Sequence, residues 1–212
     1  MPARPLTEEE KRAVFLKKLP ELKAAGDLPA IKQIIEGMGQ FDSVAQIQVV
    51  ACRQINKLAT IKDGSANEKR NLIRKVGGLE RIVKTIDAHG AVEELYIEAF
   101  EALCHLTHTQ NLTHKEQFGE SGGIKRIVAG MLSHAGAVEL QRLACEALHN
   151  LAVVSFNSEK IAAEGGIERV VAALEAHTLP DIQLHGCGAL QILSIQAGKF
   201  VGDARGLQCA HA

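Results

Sequence analysis

The chain repeats a short sequence pattern three times, and this repetition limits its possible folds more than any other feature. The strings GGLERIV, GGIKRIV and GGIERVV begin at positions 77, 122 and 165. A second set, ALCHL, ALHNL and ALQIL, begins at 102, 147 and 189. Two patterns that keep step over such a period indicate an array of similar structural units. A less regular copy precedes them, in which Ile31, Ile34 and Ile35 match the first string and Ile55 and Leu58 match the second.

Each repeat is predicted to contain three helices. Gly165 and Gly166 are expected to end a short first helix and turn the chain sharply, and Asn157 or Ser158 is expected to cap that helix. Alternating strand-like segments are missing, so the expected class is all-α. Apolar residues recur at helical spacing in the second and third helices, as in Ile124, Ile127, Val128 and Met131 and then in Leu140, Ala144, Leu148 and Leu151.

The segment LQRLACEALHNLA at 140–152 strongly resembles the third helix of an armadillo repeat. The Gly-Gly-Ile start of the second helix is also similar to that family, and the resemblance covers about residues 28–195. The period is too long for ankyrin or tetratricopeptide arrays. The resemblance implies a right-handed α-solenoid of about four armadillo-type repeats, whose third helices line a concave groove that binds other proteins.

The resemblance divides the chain into three regions. An N-terminal capping helix region is expected at 1–27, the repeat domain at 28–197 and a frayed tail at 198–212. The four repeats are expected at about 28–76, 77–121, 122–164 and 165–197.

The N-terminal region carries the signals of an amphipathic helix that covers the first repeat. Thr7 and Glu10 form a capping box, which is typical of a helix start. Val14, Leu19 and Leu22 are expected on its apolar face, and Pro20 is expected to kink or interrupt it.

Composition excludes several functions. The 24 basic and 25 acidic side chains give a net charge of −1, which argues against a nucleic-acid binder. Aromatic residues make up 3%, so base-stacking platforms are not expected. No run of apolar residues is long enough for a membrane span. Five cysteines without a signal peptide indicate a cytoplasmic or nuclear protein with reduced thiols.

Histidines provide two candidate sites. His89, His134 and His177 each lie eleven residues after a glycine pair, where they are expected to cap the C-terminus of the second helix. The second group is Cys104, His105, His108 and His114. It lacks a second ligand pair of zinc-site spacing, so we expect no metal there, and the histidines are expected to edge the groove.

Cysteines and basic residues have structural interpretations as well. Cys52, Cys145 and Cys187 occupy one column of the repeats, which favours packing over a unique nucleophile. The densest basic stretch is predicted to be a solvated helix face or, alternatively, a patch for nuclear import or partner binding; it contains Lys69, Arg70, Arg74 and Lys75. No catalytic residue and no cofactor site is expected.

The third helices offer candidate binding residues at positions expected to face the groove. Asn150 matches the asparagine column with which peptide-binding armadillo proteins hold a peptide backbone, but the chain has no tryptophan for the accompanying column. The charges predict a groove that is positive at its N-terminal end and negative in its middle. The candidates are Arg53, Lys57, Glu101, His105, His108, Glu146, Asn150, Gly188 and Ile192.

Two functions are consistent with these observations. The first is a non-catalytic scaffold or adaptor that binds a peptide segment or protein partner through the third-helix groove. The alternative is a structural subunit that packs permanently into a larger assembly. The alternative predicts exposed apolar area at the C-terminal repeat and association through that end.

Overall fold

A computed structural model of the chain describes residues 6–89 and 92–209. At Lys23, Ala25 and 197–209 it describes the backbone alone. These residues form twelve helices and no strand, which confirms the all-α class. No helix in this part of the chain is long and apolar enough to cross a membrane. The helices are α1 (Glu8–Ala25), α2 (Leu28–Gln40), α3 (Ala45–Ala59), α4 (Ala66–Lys75), α5 (Gly78–His89), α6 (Glu93–His105), α7 (Leu112–Glu120), α8 (Gly123–Ser133), α9 (Val138–Leu151), α10 (Ser155–Ala163), α11 (Gly166–Ala176) and α12 (Pro180–Cys209).

The helices belong to two compact units. Unit 1, Met1–His108, contains α1 to α6, and unit 2, Thr109–Ala212, contains α7 to α12. The most extensive helix contact is that of α3 with α6 in unit 1 and that of α9 with α12 in unit 2. Both contacts join third helices of consecutive repeats. The backbone of the tail is helical from residue 198 to Cys209, and residues 210–212 lie outside the described part of the chain. The expected fraying of the tail stays a prediction.

Each glycine pair makes the turn between a first and a second helix. Gly77, Gly122 and Gly165 have φ values of 78°, 80° and 79°. This left-handed conformation favours glycine. The second glycine of each pair serves a different purpose, because a Cβ atom at Gly78 or Gly166 would overlap the isoleucine five residues earlier. The first glycine therefore turns the chain, and the second lets the two helices approach closely.

A column of glutamines links three of the four third helices to the second helices before them. The Nε2 atom of Gln141 donates to the carbonyls of Met131 and His134, at 2.9 and 3.0 Å. Gln48 and Gln183 make the same pair of bonds in their repeats. These carbonyls end their helices without an intrahelical partner, so the glutamine supplies the missing donors. Tyr96 occupies this column in the remaining repeat.

The histidine column makes contacts that differ from the expected ones. His89 and His177 do lie at the ends of their second helices, but each ring reaches a carbonyl of the preceding repeat. His89 Nε2 donates to Asp42 O at 2.6 Å, and His177 Nε2 donates to Ala135 O at 2.9 Å. His134 caps α8, and its Nδ1 lies 2.8 Å from the Ser133 hydroxyl. Two members of the column therefore connect repeats.

The capping box of α1 is confirmed, since Thr7 and Glu10 bond each other's backbone N–H. Leu19 and Leu22 are buried as expected, but Val14 is 54% exposed and does not join the apolar face. The helix continues through Pro20 without interruption.

The expected caps of α10 are wrong. The helix begins at Ser155, and the side chains of Asn157 and Ser158 lie inside its first turns. Both are buried and act as donors: Asn157 Nδ2 to Lys115 O at 2.8 Å, and Ser158 Oγ to Ala152 O at 2.6 Å. The preference of Asn and Ser for N-cap positions placed them at the start, whereas hydrogen bonds to Lys115 O and Ala152 O hold them within the helix.

We predict that Gln141→Met destabilises the protein. The substitution preserves the size of the side chain but leaves two carbonyls without their donor, which should lower the free energy of unfolding by about 1–3 kcal/mol. Urea denaturation followed by circular dichroism measures the change. The exposed Gln191→Met is the matched control and should change stability by no more than about 0.5 kcal/mol. An equal effect of the two substitutions would contradict the assigned role of the column.

Candidate functional site

The third-helix face of unit 1 carries Arg53 and Lys57 on α3 and Glu101 and His105 on α6. Lys57 is exposed, whereas the other three are half-buried. His108 lies in the turn after α6, and its ring centroid is 6.3 Å from that of His105. The structure thus brings these five predicted residues to one pair of helices.

Arg53 is held by two carboxylates that the sequence analysis did not single out. Its Nε donates to Glu98 Oε1 at 2.7 Å, and its Nη2 donates to Glu94 Oε1 at 2.8 Å. The hydrogen bond to Glu98 is the main reason why the pKa of Arg53 is raised. Asn56 also donates to Glu98, through Nδ2, to both the main-chain and the carboxylate oxygen at 3.0 Å.

This network corrects the expected charge of the face. Arg53 was expected to make the N-terminal end positive, but its charge is balanced by Glu94 and Glu98 across the helix pair. With Glu101 included, this face carries three carboxylates, Glu94, Glu98 and Glu101, and two cationic side chains, those of Arg53 and Lys57. The face of unit 1 is therefore mildly acidic, and Lys57 is its exposed cation.

The third-helix face of unit 2 carries Glu146 and Asn150 on α9 and Gly188 and Ile192 on α12. Glu146 accepts from Arg142 Nη1 at 3.1 Å. Arg142 also contacts Glu139, and that hydrogen bond is the largest cause of its raised pKa. The Nδ2 atom of Asn150 is buried and has no hydrogen-bond partner.

The same face contains two neighbouring histidines whose proximity was not predicted from the sequence. His149 of α9 and His185 of α12 lie with their Nδ1 atoms 3.3 Å apart and their ring centroids 5.6 Å apart. Burial is the main cause that lowers the pKa of His149, with contributions from His185 and Lys115, while Glu146 opposes the shift. A Cβ atom at Gly188 would lie 2.9 Å from Cε1 of His149, so the glycine leaves room for this ring.

The structure does not bring three or more of the residues Cys104, His105, His108 and His114 together as possible metal ligands. Within the described residues, no three His, Cys, Asp or Glu side chains are grouped so that they could hold a metal ion. His114 Nδ1 lies 3.4 Å from the Thr109 hydroxyl, and Cys104 is buried.

The basic stretch of α4 is largely structural. Arg74 donates to Leu106 O through Nε and Nη2 and to His108 O through Nη2. Arg70 donates to Ala59 O in the same manner. Burial lowers the pKa of Arg74 to about 10. These two guanidinium groups bind carbonyls at the ends of third helices, and of the four basic residues Lys75 is the one that is exposed, as a solvated face requires.

The cysteines of the repeat column lie in two environments. Cys52 and Cys145 are buried, whereas Cys187 is exposed. Burial raises the pKa of both buried thiols, that of Cys145 to about 12. A thiol with a raised pKa is a poor nucleophile because the thiolate is the reactive form.

Comparisons with known proteins address the fold alone. No protein-family model matches the sequence, and no curated protein matches it. The crystal structure of an engineered protein, a target of the Northeast Structural Genomics Consortium, is similar with a TM-score of 0.66 and 22% identity. The match covers 89% of this chain and 74% of that chain.

We predict that Cys187 reacts with a thiol reagent in the native protein, whereas Cys52, Cys104 and Cys145 react only after unfolding. Their burial blocks access, and the raised pKa of Cys52 and Cys145 keeps these thiols protonated. The test measures the kinetics of thiol modification in a Cys209→Ser variant. In this variant Cys187 is expected to be the one thiol that reacts fast. Adding Cys187→Ser should abolish the fast phase, and a fast phase that persists would contradict the assignment.

Proposed function

We propose that the protein is an armadillo-type α-solenoid of about four repeats with an N-terminal capping helix, and that it is a non-catalytic scaffold or adaptor. The repeated three-helix groups, their glycine turns and the resemblance of segment 140–152 support this proposal. The third-helix faces bind a peptide segment or another protein. Buried free thiols at Cys52, Cys104 and Cys145 suit a reducing compartment, the cytoplasm or nucleus.

Asn150 is the observation that carries the proposal. Its amide nitrogen is buried without a partner on the third-helix face of unit 2. A buried donor without an acceptor costs about 1–3 kcal/mol. Rotation of this half-buried side chain toward the solvent would let a ligand carbonyl recover that cost. In the armadillo family, the matching asparagine holds a peptide backbone. An extended peptide offers such carbonyls at regular intervals.

The charge of the third-helix face of unit 1 adds a preference for the ligand. Glu94, Glu98 and Glu101 outnumber Arg53 and Lys57, so a segment with basic side chains is favoured there. Most of these groups are already paired or half-buried. Charges in such positions act mainly on association rate and specificity, so they are expected to select among ligands more than to supply affinity.

The test places a photo-cross-linking amino acid at Lys57 or Ile192, on the third-helix faces of units 1 and 2. The controls carry it at Lys84 or Glu175, which are exposed residues of second helices. Irradiation in an extract of the source cells, followed by mass spectrometry, identifies adducts. A shared partner cross-linked from the third-helix positions and not from the controls is expected. Adducts confined to the control positions would overturn the proposal.

A structural subunit remains the second candidate because apolar side chains of the last repeat are exposed. Ile167 and Val171 are 36% and 37% exposed, whereas their equivalents Ile124 and Val128 are 1% and 7% exposed. In unit 2, α8 packs on α10 and on α11, the second helix of the last repeat. No described helix covers α11 in the equivalent manner. This surface suits association through the C-terminal repeat.

We predict that sedimentation velocity distinguishes the two candidates. A groove-binding scaffold is expected to sediment as a monomer across a range of concentrations. A structural subunit self-associates through its apolar surface, and the double variant Ile167→Gln, Val171→Gln then returns it to monomer. Because both residues are already partly exposed, this variant should fold normally, and its thermal unfolding checks that it does.

A further inference from the structure

His149 of α9 and His185 of α12 join two third helices of unit 2 through a hydrogen bond between their imidazole rings. The Nδ1 atoms are 3.3 Å apart, and both side chains are half-buried. In unit 1, Asn56 and Glu98 join α3 and α6 at the equivalent place, with 3.0 Å between Nδ2 and Oε2. Unit 2 therefore uses two titratable rings where unit 1 uses an amide and a carboxylate.

The number of protons on the two rings decides whether their hydrogen bond exists. In the neutral pair, the Nδ1–H of one ring donates to the Nδ1 lone pair of the other, which carries its own hydrogen on Nε2. A first added proton binds Nε2 of the donor ring, and the hydrogen bond becomes charge-assisted. A second added proton must bind the accepting Nδ1. It leaves two N–H donors and two positive charges facing each other, so the bond is lost.

The ring of His149 packs directly against the backbone of α12. A Cβ atom at Gly188 would lie 2.9 Å from both Cε1 and Nε2 of this ring and 3.2 Å from its Nδ1. The ring has no room to move toward the helix. Two protonated imidazoles can therefore separate only if the ring of His149 leaves α12 or if α12 itself moves away from α9.

We propose that His149 and His185 form a pH-sensitive switch between α9 and α12, which is closed while the pair carries at most one added proton and opens when both imidazoles are protonated. Ordinary imidazoles are half-protonated near about pH 6.5. The open pair takes up its second proton near that pH and the closed pair resists it, so acid favours opening. The contact has its full strength above about pH 6.5 and weakens as the pH falls. Asn150 lies on the same pair of helices, so under the proposed function acid would also weaken ligand binding there.

The charged groups around the pair act mainly in the same direction. Burial is the largest cause that lowers the pKa of His149, followed by His185 and by Lys115 of α7, while Glu146 of α9 opposes the shift. Helices α8, α10 and α11 also pack on α9, and no charged group among their described residues contributes to the shift. On α12, Asp181 lies one turn before His185 and is exposed, where salt screens its charge.

Cys145 reports whether this contact is open. It lies one turn before His149 on α9, and its thiol is buried, as is that of the equivalent Cys52 on α3. Cys187 occupies the same column in the last repeat, which no described helix follows, and it is exposed. The comparison indicates that the next third helix covers this column, so α12 covers Cys145 and α6 covers Cys52.

The test labels the full-length protein with a pyridyl disulfide, which reacts with thiols in weak acid as well as at neutral pH. Mass spectrometry measures the labelling rates of Cys145 and Cys52, and their ratio removes the effect of pH on the reagent. Because opening takes up one proton, the ratio should rise by up to about tenfold per pH unit below about pH 6.5. A ratio that stays constant from about pH 7.5 to about pH 5.5 would overturn the proposal. No ligand is needed, so the result does not depend on the proposed function.

Three variants distinguish the switch from a general loosening in acid. His149→Asn supplies the amide that Asn56 supplies in unit 1, so His185 keeps a partner in either protonation state and the ratio should stay constant. His185→Glu places a carboxylate opposite His149, as Glu98 lies opposite Asn56, so acid should no longer raise the ratio. His105→Asn, on the third-helix face of unit 1, is the matched control and should behave as the wild type does. An equal rise in the wild type and in His149→Asn would overturn the proposal, and far-ultraviolet circular dichroism checks that each variant is folded.

Discussion

The turn at each glycine pair is the constraint on which the packing of its helix group depends. A left-handed φ near 80° at Gly77, Gly122 or Gly165 would cost an ordinary residue about 1–2 kcal/mol. The following glycine then packs without a Cβ against the first helix, as Gly166 does against Ile161. This turn sets the direction of the second helix. In the two repeats that carry both features, the glutamine of the third helix then donates to carbonyls at the end of the second helix, as Gln141 and Gln183 do.

Buried and half-buried polar side chains then connect the helices by donating to main-chain carbonyls. Gln141 supplies two donors within a repeat, whereas His177 donates to a carbonyl of the preceding repeat. Arg74 and Ser158 likewise donate to carbonyls at or just beyond the ends of third helices. The carbonyls at helix ends lack intrahelical donors and are costly to bury without partners. Side chains of neighbouring helices solve this problem, so the polar contacts specify which helix packs on which.

Periodicity predicted the helices well because the helical repeat and the glycine conformations are local properties. The capping box at Thr7 and the buried Leu19 and Leu22 were likewise accessible from the sequence. Long-range side-chain pairs were not. Arg53 and Glu98 are 45 residues apart, and His149 and His185 are 36 residues apart. The repeat register assigns such residues to one face, but it does not determine which rotamers meet. The charge expected from Arg53 at the N-terminal end of the groove is balanced for this reason, and Asn157 was misplaced because its partner, Lys115 O, lies in another repeat.

The two third-helix faces differ chemically although their supporting columns are alike. Cys52 and Cys145 are both buried in one core column, and Ile55 and Leu148 in another. Asn56 and His149 occupy equivalent positions, yet Asn56 meets a carboxylate and His149 meets an imidazole. Core positions accept little change of volume because interiors are closely packed. Half-exposed positions on the third-helix faces accept side chains of different chemistry. Examples are the guanidinium of Arg53, the amide of Asn150, the imidazole of His185 and the absence of a side chain at Gly188. Units 1 and 2 therefore present different chemistry on similar helices, and the difference is confined to half-exposed positions because the core columns restrict side-chain volume.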